Sequence, residues 1–161
     1  MLPPQTPSTP FVPDLEVLLV DEDPQAAGWF HQALTTWLSP THLRVIRTLG
    51  QALQCLYAEG DYAGEPRPEL VLVNYRGPQD GGRVLTLLNE DRRLRMIPVI
   101  ALCQGDDPEV VKAAYRQQVN VCLRKPLQPQ DLTEDIEKVL RFWRDQAVLR
   151  RSLRRPFSNP S

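Results

Sequence analysis

Residues Leu70–Gly82 read LVLVNYRGPQDGG. Four aliphatic residues in a row, bounded by turn formers, have the pattern of a short strand buried on both faces. On this reading the strand runs from Leu70 to Val73 and ends at Asn74. A loop rich in Gly, Pro and Asp then turns the chain back. A helix follows, with Val84, Leu85 and Leu88 spaced to face inward.

The same punctuation recurs on both sides of this stretch. LEVLLV (Leu15–Val20) is a buried-strand run that ends in DEDP, and Pro24 suits the first turn of a helix. From Gln25 to Leu38 that helix carries Ala26, Phe30, Ala33, Leu34 and Trp37 on one stripe. Leu43–Thr48 alternates as a second strand. Gly50–Glu59 reads as a helix with Leu53 and Leu56 inward, and GDYAGEPRP as a loop. PVIAL (Pro98–Leu102) is a fourth strand, after which Asp107 caps a helix with Pro108 in its first turn. Val119–Leu123 is a fifth strand. Pro129 opens a long last helix with Leu132, Ile136, Val139, Leu140 and Trp143 on its stripe. Five alternations of strand and helix predict a parallel sheet covered on both faces.

Composition is that of one globular domain. The 161 residues are 42% hydrophobic and 24% charged. No apolar run approaches the ~18 residues that span a bilayer. The start, MLPPQTPSTPFVP, has no basic segment leading into an apolar one, so a cytoplasmic location is expected, without a membrane partner. Residues 1–13 hold five of the 16 prolines and read as a flexible tail. Residues 14–149 form the domain, and 150–161 a basic flexible tail. From Arg141 onward there are six Arg and one Asp. Arginine in a last helical turn suits the helix dipole, and no aromatics interleave usefully with these, so nucleic acid is not the expected partner. Three cysteines at irregular spacing give neither a disulfide framework nor a paired metal motif. No Gly-rich phosphate loop and no Ser/His/Asp set is present, so no catalytic residue is assigned and the chain is not expected to be an enzyme. His31 lies on the first helix with no supporting acid motif and reads as a surface residue.

In open parallel sheets, sites form outside the carboxyl ends of the strands. The residues there are Asp21, Glu22 and Asp23 after strand one, Asn74 after strand three, Cys103 after strand four and Lys125 after strand five. Together with VDEDP, PELVLVN, IPVIAL and VCLRKP, this set resembles the receiver domain of two-component response regulators over about Leu15 to Trp143. The stretch YAEGDYAGEPRPELVLV, the pair Val119–Asn120 and the pair Phe142–Trp143 resemble one subgroup more closely, the stand-alone regulators that partner bacterial phytochromes. The resemblance implies a flavodoxin-like α/β fold: a doubly wound five-stranded parallel sheet of order 2-1-3-4-5 with five helices. It also implies phosphoryl transfer from a sensor histidine kinase to an aspartate beside Mg²⁺.

On that resemblance the metal-binding acid pair falls on Asp21 and Glu22, while Asp23 caps the helix. The phosphoacceptor position falls on Asn74. An amide has no carboxylate oxygen to attack phosphorus, so no acyl phosphate can form there by the family route. Asn74 can still offer a carbonyl oxygen to a metal, so Asp21, Glu22 and Asn74 remain a weakened Mg²⁺ set. Lys125 keeps the family's lysine and should pair with Asp21 or Glu22. The Ser or Thr that the family carries after strand four is Cys103 here. The aromatic that it often carries in strand five is Cys122, and its loop is shortened to Pro78-Gln79-Asp80-Gly81. These joint departures read as natural loss of phosphotransfer.

Cys103 and Cys122 should sit near the ends of neighbouring strands with backbones about 5 Å apart, within disulfide range. Two buried thiols acting as small hydrophobes is the favoured reading, because intracellular disulfides are rare. A redox switch is the alternative. Adjacent helix residues point about 100° apart, so Trp143 turns inward and Phe142 toward a partner. The resemblance implies a homodimer through helix four, strand five and helix five, involving Phe142, Trp143 and Tyr115. The expected function is that of a pseudo-response regulator acting by binding a sensor kinase, phytochrome-linked or otherwise, or another regulator. Phosphorylation at another acid (Asp21, Glu22 or Asp80) and cysteine redox control are the alternatives.

Overall fold

The structure, a computed structural model, describes residues 15–37 and 41–154. Its elements run β1 (Leu15–Val20), α1 (Pro24–Trp37), β2 (Thr41–Ile46), α2 (Leu49–Tyr57), β3 (Leu70–Tyr75), α3 (Gly82–Glu90), β4 (Val99–Cys103), α4 (Pro108–Arg116), β5 (Val121–Arg124) and α5 (Glu134–Arg154). All strand pairs are parallel and the sheet order is β2-β1-β3-β4-β5. This is the five-stranded, five-helix flavodoxin-like arrangement expected.

Strand alternation divides the core in two. On one face Val17, Leu19, Leu72, Ile100 and Leu102 meet Phe30 and Leu34 of α1 and Leu140 and Ala147 of α5. On the other, Leu18, Val71, Val73, Ala101 and Cys103 meet α2, α3 and α4. Every residue of β3 is buried. Each such aliphatic side chain contributes about 1.5–3 kcal/mol relative to exposure, and the central strand is the fixed axis of the domain.

Several boundaries differ from the sequence reading. The third strand does not stop at Val73. Asn74 pairs with Leu102 and Tyr75 with Cys103, so pairing to β4 carries the strand two residues further despite the low strand preference of Asn. β2 runs Thr41–Ile46, two residues earlier than read at both ends, and it stops short of Thr48 because Thr48 is taken as the N-cap of α2, its hydroxyl accepting from Gln51 N–H at 3.2 Å. β5 starts two residues later, because Asn120 turns its side chain to Val99 N–H at 2.7 Å. Pro129 begins a 3-10 turn, Pro129–Asp131, and α5 starts only at Glu134.

The inward stripe of α1 is Ala27, Phe30 and Leu34, with Ala33 half-buried. The side chains of Ala26 and Trp37 lie outside the described residues. In α2, Leu56 is inward as expected, but Ala52 and Cys55 join it rather than Leu53. Asp107 caps α4 by accepting from Glu109 N–H at 2.9 Å, with Pro108 in the first turn. Backbone helix continues through Arg154, so residues 150–154, expected in the tail, are helical. The expected 1–13 tail and residues 155–161 lie outside the described residues.

Candidate functional site

The carboxyl ends of β1, β3 and β5 bring Asp21, Asn74 and Lys125 into the buried end of the sheet. They are the buried polar and charged residues among those described. Lys125 Nζ lies 2.9 Å from Asp21 Oδ2, and both side chains are almost fully buried. The lysine therefore selects Asp21, not Glu22. Among the described residues no further hydrogen-bond partner reaches this ammonium, so the ion pair carries its charge balance. Asp21 Oδ1 accepts from Asp23 N–H at 3.0 Å. Both oxygens of Asp21 are thus engaged. Asp23 Oδ1 in turn accepts from Gln25 N–H at 3.0 Å, as a helix cap should. Glu22 is exposed.

Asn74 is 92% buried, since 8% of it remains accessible. Its Oδ1 has no partner among the described residues. A buried acceptor left unmet costs about 1–3 kcal/mol, a cost that a ligand donor or cation at this oxygen would relieve.

The loop after β3 is held tight by its own backbone. Arg76 and Gly77 N–H donate to Asp80 O, and Asp80 and Gly82 N–H donate to Gly77 O. Gly81 has φ +91°, and a Cβ there would collide with the Asn74 carbonyl oxygen. Glycine at 81 is what lets this loop close over Asn74.

Asp21, Glu22 and Asn74 line a pocket of about 150 Å³ with Arg47, Gln79, Asp80 and Arg83. The two arginines were not found by the sequence reading. Each follows its strand or helix start without any motif, and only the fold places them at the same opening. Asp80 lies 3.8 Å from Arg76, so its charge is partly answered. Lys125 backs the pocket through Asp21 and also borders a second groove with Arg124, Leu127, Gln128 and Asp131.

The donor set is all oxygen, which suits a hard divalent cation, and the orphaned Asn74 Oδ1 is the observation that favours one. Against it stand the commitment of Asp21 to Lys125 and two arginines at the opening. Among the described residues no cluster of three His, Cys, Asp or Glu could hold a metal ion.

Below the site, Tyr75 is fully buried and its hydroxyl donates to Gln117 Oε1 at 2.7 Å. Burial raises its pKa above the ordinary tyrosine value. Gln117 also donates from Nε2 to Gly82 O at 3.0 Å, tying α4 to the start of α3. Cys103 and Cys122 are joined by a disulfide, with Cα atoms 6.6 Å apart. The favoured expectation of two free thiols is thereby corrected. Register puts Cys103 opposite Arg124 and Ala101 opposite Cys122, and this diagonal lets the two side chains meet on one face. Cys55 is the free cysteine among the described residues, and burial pushes its thiol up from the usual range.

On the outer face, Tyr115, Phe142 and Leu149 are about half exposed. Trp143 packs partly against the core, edge-on to Phe142 with ring centres 5.1 Å apart. The expected inward Trp143 and outward Phe142 are both found. His31 is exposed. Among the described residues no helix is long and apolar enough to cross a membrane.

No family model matches the chain. The chain is 28% identical over 138 residues to the response regulator Rcp1 of Synechocystis sp., covering 85% of this chain and 94% of that protein. The phosphorylated cyanobacterial phytochrome response regulator RcpA superposes with a TM-score of 0.70 at 26% identity, covering 81% of this chain and 94% of that one. The Mn²⁺-bound form of Rcp1 superposes with a TM-score of 0.69 at 26% identity, covering 91% and 99%. By sheet order, helix count and these likenesses, the chain has the flavodoxin-like receiver fold and resembles the response regulator Rcp1 and the phytochrome response regulator RcpA.

Proposed function

We propose that this chain is a pseudo-receiver: a response regulator that takes no phosphoryl group at the end of β3 and acts by protein–protein binding. The observation that carries this reading is Asn74. It occupies the buried floor of the pocket beside Asp21 and offers an amide oxygen, not a carboxylate, to an incoming group. An amide cannot supply the nucleophilic oxygen that an acyl phosphate requires. The Lys125–Asp21 pair at 2.9 Å supports the reading, since the lysine already answers the one buried acid among the described residues.

A divalent cation such as Mg²⁺ would be held weakly here by Asp21, Glu22 and Asn74 Oδ1. When bound it would supply positive charge to an anion in the pocket. Arg47 and Arg83 supply part of that charge from the chain itself.

Binding runs through the face built from α4, β5 and α5. Tyr115, Phe142 and Leu149 give this face exposed aromatic and aliphatic area, and aromatics of this size concentrate at interfaces. Phe142 and Leu149 are seven residues apart, two turns of α5, and so fall on one stripe. We assign this stripe to a homodimer and to a sensor histidine kinase or another regulator, phytochrome-linked as for RcpA.

Sedimentation equilibrium before and after incubation with acetyl phosphate and Mg²⁺ tests the reading. The expected result is a dimer whose dissociation constant is unchanged by the phosphodonor. Phosphodonor-dependent dimerisation, with a mass gain of one phosphoryl group at Asp21, Glu22 or Asp80, would establish the alternative of phosphorylation at another acid.

A further inference from the structure

β5 is one of the two outer strands of the sheet, pairs with β4 among the described residues, and has no fully buried residue. Three other ties hold it. Cys122 is bonded through sulfur to Cys103. Its backbone N–H donates to the Tyr115 hydroxyl of α4 at 3.2 Å. Lys125, just past the strand, donates its N–H to Cys103 O at 2.8 Å, while its ammonium pairs with Asp21. The disulfide therefore lies in one continuous chain of contacts. At its inner end are Cys103, Lys125 and Asp21 in the pocket, and at its outer end are Cys122 and the half-exposed Tyr115. The bridge also closes a ring that contains the whole of α4.

We propose that Cys103 and Cys122 form a dithiol–disulfide switch that fixes the outer strand and Tyr115 in one arrangement when oxidised and frees them when reduced. The reductant is a dithiol. Cys103 is 2% exposed and Cys122 is the more accessible partner, so the incoming thiolate attacks Cys122 Sγ. The Cys103–Cys122 bond breaks as a mixed disulfide forms, and Cys103 leaves as a thiolate that takes a proton from solvent. The second thiol of the reagent, losing its proton, attacks the mixed disulfide and releases Cys122, which is protonated in turn. Two electrons pass from the reagent, which ends as its own disulfide, to the protein, which ends with two thiols.

The physical consequence follows from what remains after reduction. The pairing to β4, the Cys122 N–H bond to the Tyr115 hydroxyl and the Lys125 contacts persist, and four residues of edge strand held by these alone form a locally weaker unit. The Tyr115 hydroxyl then stays bonded to a strand that opens more readily. Its consequence for binding rests on the α4–β5–α5 docking face proposed above, whereas the bond and the strand's order can be read without any partner.

The test uses the full chain, air-equilibrated or treated with dithiothreitol, then unfolded and alkylated for intact mass. One alkylated cysteine, Cys55, is expected before reduction and three after. Hydrogen exchange at the Cys122 amide should speed up at least tenfold on reduction. Cys122→Ser should show the fast rate in both conditions. If that variant does not fold, the reduced and oxidised wild-type chain still gives the comparison. Three alkylated cysteines in the air-equilibrated chain, or an exchange rate unmoved by reduction, would overturn the switch. If thiol count and exchange both respond while self-association does not, the switch stands and the docking face is wrong.

Discussion

β3 and β5 lie two strands apart in the same sheet and are built on opposite terms. β3 is buried at all six residues and carries Asn74 and Tyr75 at its end, each held by β4. β5 is half-buried at best and depends on a disulfide, a tyrosine hydroxyl and one neighbour. The centre of this domain is fixed by packing and charge closure. Its edge is fixed by a few separable ties. On the pseudo-receiver proposal, a chain that takes no phosphoryl group at its centre can still change at its edge.

The largest effect should come from breaking the central ion pair. Lys125→Ala leaves Asp21 buried and unpaired, which typically costs about 3–5 kcal/mol. Urea unfolding should show that loss, and a cost under about 1 kcal/mol would mean that water reaches Asp21. Next is Tyr75→Phe, which strips Gln117 of its 2.7 Å donor. About 1 kcal/mol is expected, with m unchanged, by the same measurement. At the edge, Phe142→Ala should alter stability by no more than about 0.5 kcal/mol. It should weaken self-association about tenfold, as an exposed aromatic anchor would. Equal losses of stability at Tyr75 and Phe142 would erase the contrast between centre and edge.

The smallest effect concerns Asp91, away from both regions. Arg93 first, then the Tyr57 hydroxyl, hold its carboxyl well below the ordinary range. A carboxylate whose folded pKa is depressed contributes stability above its unfolded pKa, near 4, and loses it as pH falls through the folded value. Asp91→Asn should therefore flatten the acid limb of the stability profile slightly and leave neutral pH nearly untouched. The Arg93–Asp91 pair lies at the surface, where solvent screens it, so the change should be small.

Much of this was legible in the residues. LEVLLV and LVLV could be little other than buried strands, and Asp107-Pro108 announced the start of α4. The carboxyl-end rule then gathered Asp21, Asn74 and Lys125 before any coordinates. What was missed has a common cause. Asn74 and Tyr75 are drawn into β3 by pairing with β4, and Asn120 is drawn out of β5 by bonding Val99; both are tertiary effects that local preference does not carry. Arg47 and Arg83 reach one pocket only because the fold brings the end of β2 and the first turn of α3 together. The Cys103–Cys122 bond needed the diagonal register of β4 and β5, which spacing alone does not fix.

The central claim is that Asn74 disarms the site while its surroundings persist. Intact mass of the wild-type chain and of Asn74→Asp, each incubated with acetyl phosphate and Mg²⁺, addresses it directly. The account predicts no gain for the wild type and a gain of one phosphoryl group for Asn74→Asp. A phosphoryl group on the wild-type chain would contradict it.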